Sequence, residues 1–228
     1  MSAVPAAIVK AFGQLGDRAV VAVLVKSIAI TVVVFAGLGV GLWFALAEAA
    51  QRYGVDEGWA GLAAVLLVPI AMWLLFRVVA LAVLQFFADE VVAAVEARHY
   101  PALASAARPL PLRREVALAT RGLVRALGYN LLALPLAAVL AFTAIGPAAV
   151  FLAVNAVLLG REFTDMAWLR HCRGNEVGNP VGRADRVLLG GAMAAMMVVP
   201  LLNFVAPVIG AAAGTHLVLR RLGEEAPR

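Results

Sequence analysis

Long uncharged runs alternate with charged segments along this chain, and the first two runs predict membrane helices. Residues 19–47 contain one charge, Lys26, which lies close enough to the start of the run to reach the membrane surface. Residues 59–88 contain only Arg77. Each run exceeds the ~20 apolar residues that cross a hydrocarbon core of ~30 Å. We therefore predict two full transmembrane helices.

The two later uncharged runs, 126–160 and 187–219, predict broken helical hairpins. As one helix the second run would be about 50 Å long, whereas each of its arms reaches only about 18–20 Å. A re-entrant hairpin that enters and leaves the membrane on one side fits these lengths, and two short tilted spans are the alternative. The interrupting residues are Pro135, Gly146 and Pro147 in the first run and Pro200, Asn203 and Pro207 in the second.

The distribution of basic residues favours the same topology. Segments 89–125 and 161–186 are rich in arginine, as is the tail, whereas loop 48–58 is acidic. Basic loops stay on the cytoplasmic side of a membrane. If each broken run returns to its starting side, every basic segment lies in the cytoplasm, and the acidic loop lies outside.

The amino terminus predicts a short interfacial helix over residues 1–18, and an exported leader is the poorer interpretation. Ile8, Phe12 and Leu15 recur at helical spacing and would form one apolar face. Gly16-Asp17-Arg18 then turns the chain into the first long run.

Composition assigns the chain to a class of protein. With 64% hydrophobic residues, 14% charged residues and a mean hydropathy of +0.94, residues 1–228 predict a single all-α, multi-pass membrane domain. The formal charge of +5 lies in the connecting segments, where it orients the protein and contacts lipid headgroups, so nucleic acid is a poor partner.

Catalytic and metal-binding patterns have little support in this sequence. The single cysteine, Cys172, excludes an internal disulfide, and the three histidines are scattered. We interpret His171 and Cys172 as surface residues and expect neither enzymatic activity nor a cofactor or metal. Arg77 differs, because an arginine at membrane depth is costly and usually has a functional partner; snorkelling from a tilted helix is the alternative.

Four stretches carry a family resemblance. The chain is similar to the etoposide-induced-protein/CysZ family of integral membrane proteins over nearly its whole length. That resemblance implies a bundle of two long transmembrane helices and two hemi-penetrating hairpins. The stretches are Ala11–Arg18, Phe87–Pro101, Asn155–Glu162, and the Pro200-x-x-Asn203-x-x-x-Pro207 tip followed by Thr215.

The resemblance also implies a function. Bacterial CysZ-type members are inner-membrane sulfate permeases that supply sulfate for cysteine synthesis, and they assemble as oligomers, in some cases with inverted protomers. The sulfate permeases carry an adjacent basic pair in the turn before the first long helix, where this chain has only Arg18.

A path for a small oxyanion needs donors that replace the hydration of the anion. Helix N-termini supply free N–H groups, and we expect such termini after Pro147 and Pro207. Structural roles are the alternative for each candidate, and Arg161 with Glu162 would then cap a helix end. The expected substrate-binding residues are Gly16, Asp17 and Arg18 at the turn, Asn203 through its amide, Arg77 and Arg161 along the path, and Glu162 as an internal partner of an arginine.

The sequence leaves two functions open. The first is a homo-oligomeric permease for sulfate or a related oxyanion in the bacterial inner membrane, acting as a channel or a carrier. The second is a non-transporting scaffold that shapes the membrane or holds a partner through its hairpins. A polar track from Arg18 to Asn203 would favour the permease, and hairpins filled by side chains would favour the scaffold.

Overall fold

The computed structural model describes residues 3–52, 54, 61, 88–108, 110–143, 145–172, 174, 178–199 and 202–225. These residues form α-helices joined by short turns, and no strand occurs among them. One compact unit comprises Met1–Val20 and Ala88–Arg228, and the other comprises Val21–Phe87. In chain order the helices are α1 (Val4–Gly13), α2 (Arg18–Arg52), α3 (residues 88–99), α4 (Pro101–Ala104), α5 (Leu112–Val139), α6 (Gly146–His171), α7 (Arg183–Val198) and α8 (Leu202–Glu225).

The predicted amino-terminal helix is α1, and it packs against α8. Its buried face consists of Val4, Ala7 and Ala11, whose small size lets the two helices approach closely. Phe12, which belongs to the predicted apolar face, is exposed. The location of α1 at a membrane surface stays a prediction.

Helices α5 and α6 form the first predicted hairpin, and the helix breaks near the expected centre. A single 3-10 turn, Leu140–Phe142, ends α5, and the Thr143 hydroxyl accepts a hydrogen bond of 2.9 Å from the Gly146 N–H at the start of α6. Pro147 follows in the first turn, where its missing N–H costs nothing. Pro135 lies inside α5 and does not end it.

Helices α7 and α8 form the second predicted hairpin, but its break is shorter than we predicted. The expectation that the chain stays irregular to Pro207 is wrong, because α8 already begins at Leu202 and contains both Asn203 and Pro207. A proline inside a helix costs ~3 kcal/mol. Tertiary packing outweighs that cost here, since Pro207 and every residue from Ala206 to Leu219 are buried.

Glycines allow the helices of this unit to approach backbone to backbone. A Cβ on Gly190 of α7 would lie 2.8 Å from the Cα of Gly160 on α6, and one on Gly210 of α8 would lie 2.6 Å from the Phe163 ring. Ordinary carbon contacts are ~3.5–4.0 Å. The core of this unit is therefore α6, α7 and α8 in close contact, with α1 against α8 and α5 against α6.

The second unit contains the rest of α2, a helix of 35 residues that covers the predicted first span at 19–47. Val23, Ser27 and Thr31 form its buried stripe, and both hydroxyls donate to backbone carbonyls one turn earlier. The predicted second span at 59–88, together with Arg77, lies almost entirely outside the described residues.

Three described helices are long and apolar enough to cross a membrane by length and composition: Arg18–Arg52, Val116–Phe142 and Gly146–His171. The part of the chain that the structure describes is thus that of an all-helical membrane protein. The second and third of these helices are the two arms of the first hairpin.

Candidate functional site

The turn of residues 14–18, called the Gly16 turn below, leads from α1 into α2. The Asp17 N–H donates to the Gln14 carbonyl at 2.8 Å, and Arg18 is the first residue of α2. Arg18 is exposed, and among the described residues it has no carboxylate partner. The first N–H groups of a helix lack intrahelical acceptors and carry its positive dipole end. The turn therefore presents a cation and free donors in one place.

A second arginine reaches the Gly16 turn from a distant part of the chain. Arg98 of α3 forms an ion pair with Asp17, with 3.3 Å between Nη2 and Oδ1. The Arg98 side chain is 60% exposed, whereas Asp17 is 16% exposed. Sequence reasoning missed Arg98, because only the fold brings it to Asp17. The turn thus gains a second arginine from another helix, with its charge offset by Asp17.

Behind the turn, the side chains of Gln14, His99 and Tyr100 meet at the buried His216 of α8. The Gln14 amide donates to Nε2 of His216 at 2.7 Å, and Nδ1–H of the same ring donates to the Tyr100 hydroxyl oxygen at 2.9 Å. The His99 ring lies edge-on, with 5.3 Å between ring centroids. Burial raises the pKa of the Tyr100 phenol, an effect that the charge of Arg220 partly offsets. These contacts hold the Gly16 turn against α8.

An ion cluster around Glu96 joins α3 to the end of α6. The Glu96 side chain is 1% exposed, and both of its oxygens accept from Nε of Arg170 at 3.1 Å. Nε2 of His171 contacts the same carboxylate at 3.0 Å. Burial by itself would raise the pKa of Glu96, but the hydrogen bonds and charges of His171 and Arg170 hold it below its ordinary value. Because Arg170 and His171 already occupy both oxygens of the buried Glu96 carboxylate, we assign the cluster a structural role.

Our interpretation of His171 and Cys172 as surface residues is wrong. The His171 side chain is 5% exposed and Cys172 is 7% exposed, and the end of α6 contacts α3 through His171 and Glu96. The Cys172 thiol contacts the Leu169 carbonyl at 3.5 Å. In the part of the chain that the structure describes, no group of three or more His, Cys, Asp and Glu side chains could hold a metal ion.

Arg161 and Glu162 lie inside α6, so the alternative that they cap a helix end is wrong. Nε of Arg161 donates to Oδ2 of Asp165 at 3.2 Å, one turn along the same helix. Glu162 is exposed and lies close enough to Arg125 of α5 to interact with its charge. Asp165 also accepts from the Asn179 amide at 2.9 Å, which fastens the loop before α7 to α6.

Asn203 lies far from the Gly16 turn. It is half-buried in the first turn of α8, and its backbone N–H donates to the Val199 carbonyl at 2.9 Å. From Asn203 to His216, which contacts the turn, α8 rises about 20 Å. Every residue between Ala206 and Thr215 is buried. Along α8, the described residues therefore form a filled core, and no polar track runs beside this helix between Asn203 and His216 among them.

The structure thus keeps the predicted site residues in three separate places. Gly16, Asp17 and Arg18 stay together at the turn, Arg161 and Glu162 lie in the middle of α6, and Asn203 lies at the tip. Arg77 lies outside the described residues. Among these places, the turn combines an exposed arginine without a carboxylate partner among the described residues with the start of a long apolar helix, so it is the strongest candidate for binding a small anion.

Comparison with known proteins gives one finding. A family model described as EI24, sulfate transporter CysZ/etoposide-induced protein 2.4, matches residues 7–207. The matched region runs from α1 into the first turns of α8 and includes the Gly16 turn. No curated protein matches the chain.

Proposed function

The chain belongs to the EI24 family of sulfate transporter CysZ/etoposide-induced protein 2.4, and we propose that it is a membrane permease for a small oxyanion, with sulfate as the first candidate. The proposal includes no enzymatic step and no cofactor. It places the protein in the bacterial inner membrane as a multi-pass, homo-oligomeric permease.

The observation that carries this proposal is the arrangement of charges at the Gly16 turn. Arg18 is exposed at the N-terminus of the long apolar helix α2, and Arg98 is held at the same turn by its ion pair with Asp17. Guanidinium groups bind tetrahedral oxyanions through paired hydrogen bonds, and a helix N-terminus adds donors and a positive dipole. These donors would replace part of the hydration shell of a bound anion before it enters the membrane.

The lengths of three of the four hairpin arms support a re-entrant arrangement, whereas the uncharged part of α8, residues 202–219, is longer, at about 27 Å. The uncharged parts of the other arms are residues 126–139 and 146–160 in the first hairpin and residues 187–198 in α7. At ~1.5 Å per residue these parts reach about 18–22 Å, short of a core of ~30 Å. In this proposal the charged ends of α5 and α6 stand outside the hydrocarbon, and the tips end inside it.

The filled core along α8 limits where the anion could travel. Because residues 206–219 are buried by their own neighbours, we place the route outside the contact of α6, α7 and α8. Asn203, Arg161 and Glu162 then lie on separate surfaces of the unit. In the proposed permease, Arg18 captures the anion and Arg98 positions Asp17 and the turn.

The same filled core favours a second candidate function. A hairpin pair without a polar track would serve as a scaffold that shapes the membrane or holds a partner, and it would need no cargo. The two functions differ in whether protein in a vesicle changes the sulfate permeability of that vesicle.

The test is uptake of radiolabelled sulfate into liposomes that contain the purified protein. Arg18→Ala should reduce saturable uptake about tenfold or more, because charge-assisted hydrogen bonds to the anion are lost. The matched control is Arg52→Ala at the other end of α2, where the arginine is exposed and pairs with Glu48 at 2.9 Å.

Both variants remove one exposed positive charge, so a general loss of surface charge would affect them equally. Equal uptake by the two variants would remove Arg18 from the site. Uptake no faster than that of empty liposomes, with the protein inserted and oligomeric, would instead support the scaffold.

A further inference from the structure

His216 of α8 bridges two segments that lie far apart in the sequence. One ring nitrogen, Nε2, accepts from the Gln14 amide at 2.7 Å, and the other, Nδ1, bonds the Tyr100 hydroxyl at 2.9 Å. Gln14 is the first residue of the Gly16 turn, and Tyr100 directly follows α3. Each nitrogen of the ring therefore holds one segment, and the ring joins the turn to the end of α3.

The same two segments carry the ion pair of the candidate site. Asp17 follows Gln14 within the Gly16 turn, and Arg98 precedes Tyr100 by two residues. The Asp17–Arg98 pair has an exposed guanidinium, and ion pairs open to solvent do little to hold two segments at a fixed distance. The buried ring behind the pair is better suited to that role.

The ring is held firmly in the core. His216 is 4% exposed, and its neighbours Leu217, Val218 and Leu219 are buried as well. Helix α1, which ends beside Gln14, packs along α8. A buried ring with both nitrogens bonded cannot change its rotamer without breaking both hydrogen bonds. The core of α8 thus sets where the turn and the end of α3 lie relative to each other.

The contact between Gln14 and His216 has a cost that apolar packing would avoid. The carbonyl oxygen of Gln14, Oε1, is fully buried and has no hydrogen-bond partner among the described residues. An unsatisfied buried acceptor is destabilising, whereas two apolar side chains of similar shape would pack without that loss. A hydrogen bond adds direction, which apolar packing does not provide. The polar contact therefore fits a role in orienting the turn better than a role in stability alone.

We propose that His216 is the positioning residue of the anion site, because its two hydrogen bonds set the distance between Arg98 and the Gly16 turn. This inference rests on the proposed function, in which Arg18 of the turn captures the anion. Paired hydrogen bonds between a guanidinium and an oxyanion depend on distance and angle, so a turn that moves relative to α3 binds the anion more weakly. His216 itself does not touch the anion.

Equilibrium binding of radiolabelled sulfate to the purified, detergent-solubilised protein tests this role. Gln14→Met and Tyr100→Phe each break one of the two bonds of the ring. The bonds act in series, so breaking either one frees the turn from α3. We expect each single variant to bind sulfate about fivefold more weakly, and the double variant to lose about fivefold as well. Two independent contacts would instead multiply to about 25-fold.

Thr215→Val is the matched control beside His216 on α8. The Thr215 hydroxyl is buried and donates to the Ala211 carbonyl of its own helix at 2.7 Å, so it bridges no segments. This change removes a buried hydrogen bond of the core and leaves the bridge intact. We expect it to bind sulfate as tightly as the wild type does.

The outcomes separate this inference from the proposed function. Single variants that bind sulfate as Thr215→Val does would overturn the role of His216 and leave the proposed function intact, as would a 25-fold loss in the double variant. A wild type that binds no sulfate would overturn sulfate as the substrate, and this inference with it.

A second pair of variants decides the question if Gln14→Met does not fold. Tyr100→Phe is then combined with Arg98→Ala. Because Tyr100 acts through the position of Arg98, the double variant should bind sulfate no more weakly than Arg98→Ala alone. A further fivefold loss in the double variant would overturn the inference.

Discussion

Replacing Gly190 by alanine should force α6 and α7 apart. The new Cβ would lie 2.8 Å from the Cα of Gly160 and would also contact the Ala156 carbonyl oxygen and the Gly160 nitrogen. Ordinary carbon contacts are ~3.5–4.0 Å, so the helices have to separate by about 1 Å. All three neighbouring atoms belong to the backbone and have no rotamer that avoids the contact.

Gly191 offers a control one residue away on the same helix. A Cβ there would lie 3.6 Å from the Ala156 Cβ, which is an ordinary contact. Both substitutions gain the same helix propensity, up to ~1 kcal/mol. The difference between the two variants therefore isolates the steric cost. Overpacking costs ~1–3 kcal/mol, and we expect the upper end for Gly190 because neither helix can yield locally.

Thermal unfolding of the detergent-solubilised protein measures this difference. At about 2–4 °C per kcal/mol for a chain of this length, Gly190→Ala should melt about 6–12 °C below Gly191→Ala. A Gly190→Ala variant that melts at or above Gly191→Ala would refute the close approach of α6 and α7 at these glycines.

Two further predictions concern the buried polar clusters. Glu96→Gln should lower stability at neutral pH by about 3–5 kcal/mol, because Arg170 keeps its charge without its buried partner. Since the pKa of Glu96 is lowered in the folded protein, the stabilisation is full above its unfolded value of 4.5 and is lost as pH falls through the folded value. Melting curves from pH 7 to 3 should therefore converge for the wild type and Glu96→Gln, and a constant gap would contradict this. At the other cluster, His216→Leu leaves the Gln14 amide without its partner, so a double-mutant cycle with Gln14→Leu should give a coupling of about 0.5–3 kcal/mol; additive losses in melting experiments would contradict the contact.

The predicted elements that agree with the structure depend on local properties of the sequence. Uncharged runs predict where the helices lie. The breaks near Pro147 and Pro200 are predicted by the turn-forming residues beside each proline. Pro207 was misjudged because its cost is local, whereas the burial that offsets it comes from α6, α7 and α1. The cost of a proline inside a helix can be estimated from the sequence alone, whereas the energy of burying α8 depends on tertiary contacts that one sequence does not reveal.

The candidate site likewise combines a grouping that sequence adjacency predicts with contacts that only the fold creates. Residues 16–18 are adjacent in sequence, so their grouping could be predicted, as could an exposed arginine at a helix start. Gln14 and His216 are 202 positions apart, and Glu96 and Arg170 are 74 positions apart, so no spacing rule connects them. Two of the three histidines, which are scattered in sequence, are brought together by the fold, since the rings of His99 and His216 lie edge-on with 5.3 Å between their centroids.

The burial of Cys172 makes the natural chain a ready background for site-directed labelling. Its thiol is the only one in the protein, is 7% exposed and contacts the Leu169 carbonyl, so a membrane-impermeant maleimide should react with it slowly. A cysteine introduced at Phe142, which is 98% exposed at one tip, or at Val198, which is 72% exposed at the other, would then be the only fast-reacting site. Comparing the labelling rates from the two sides of a sealed vesicle would show how deep each tip lies and which side it faces, without first removing the native cysteine.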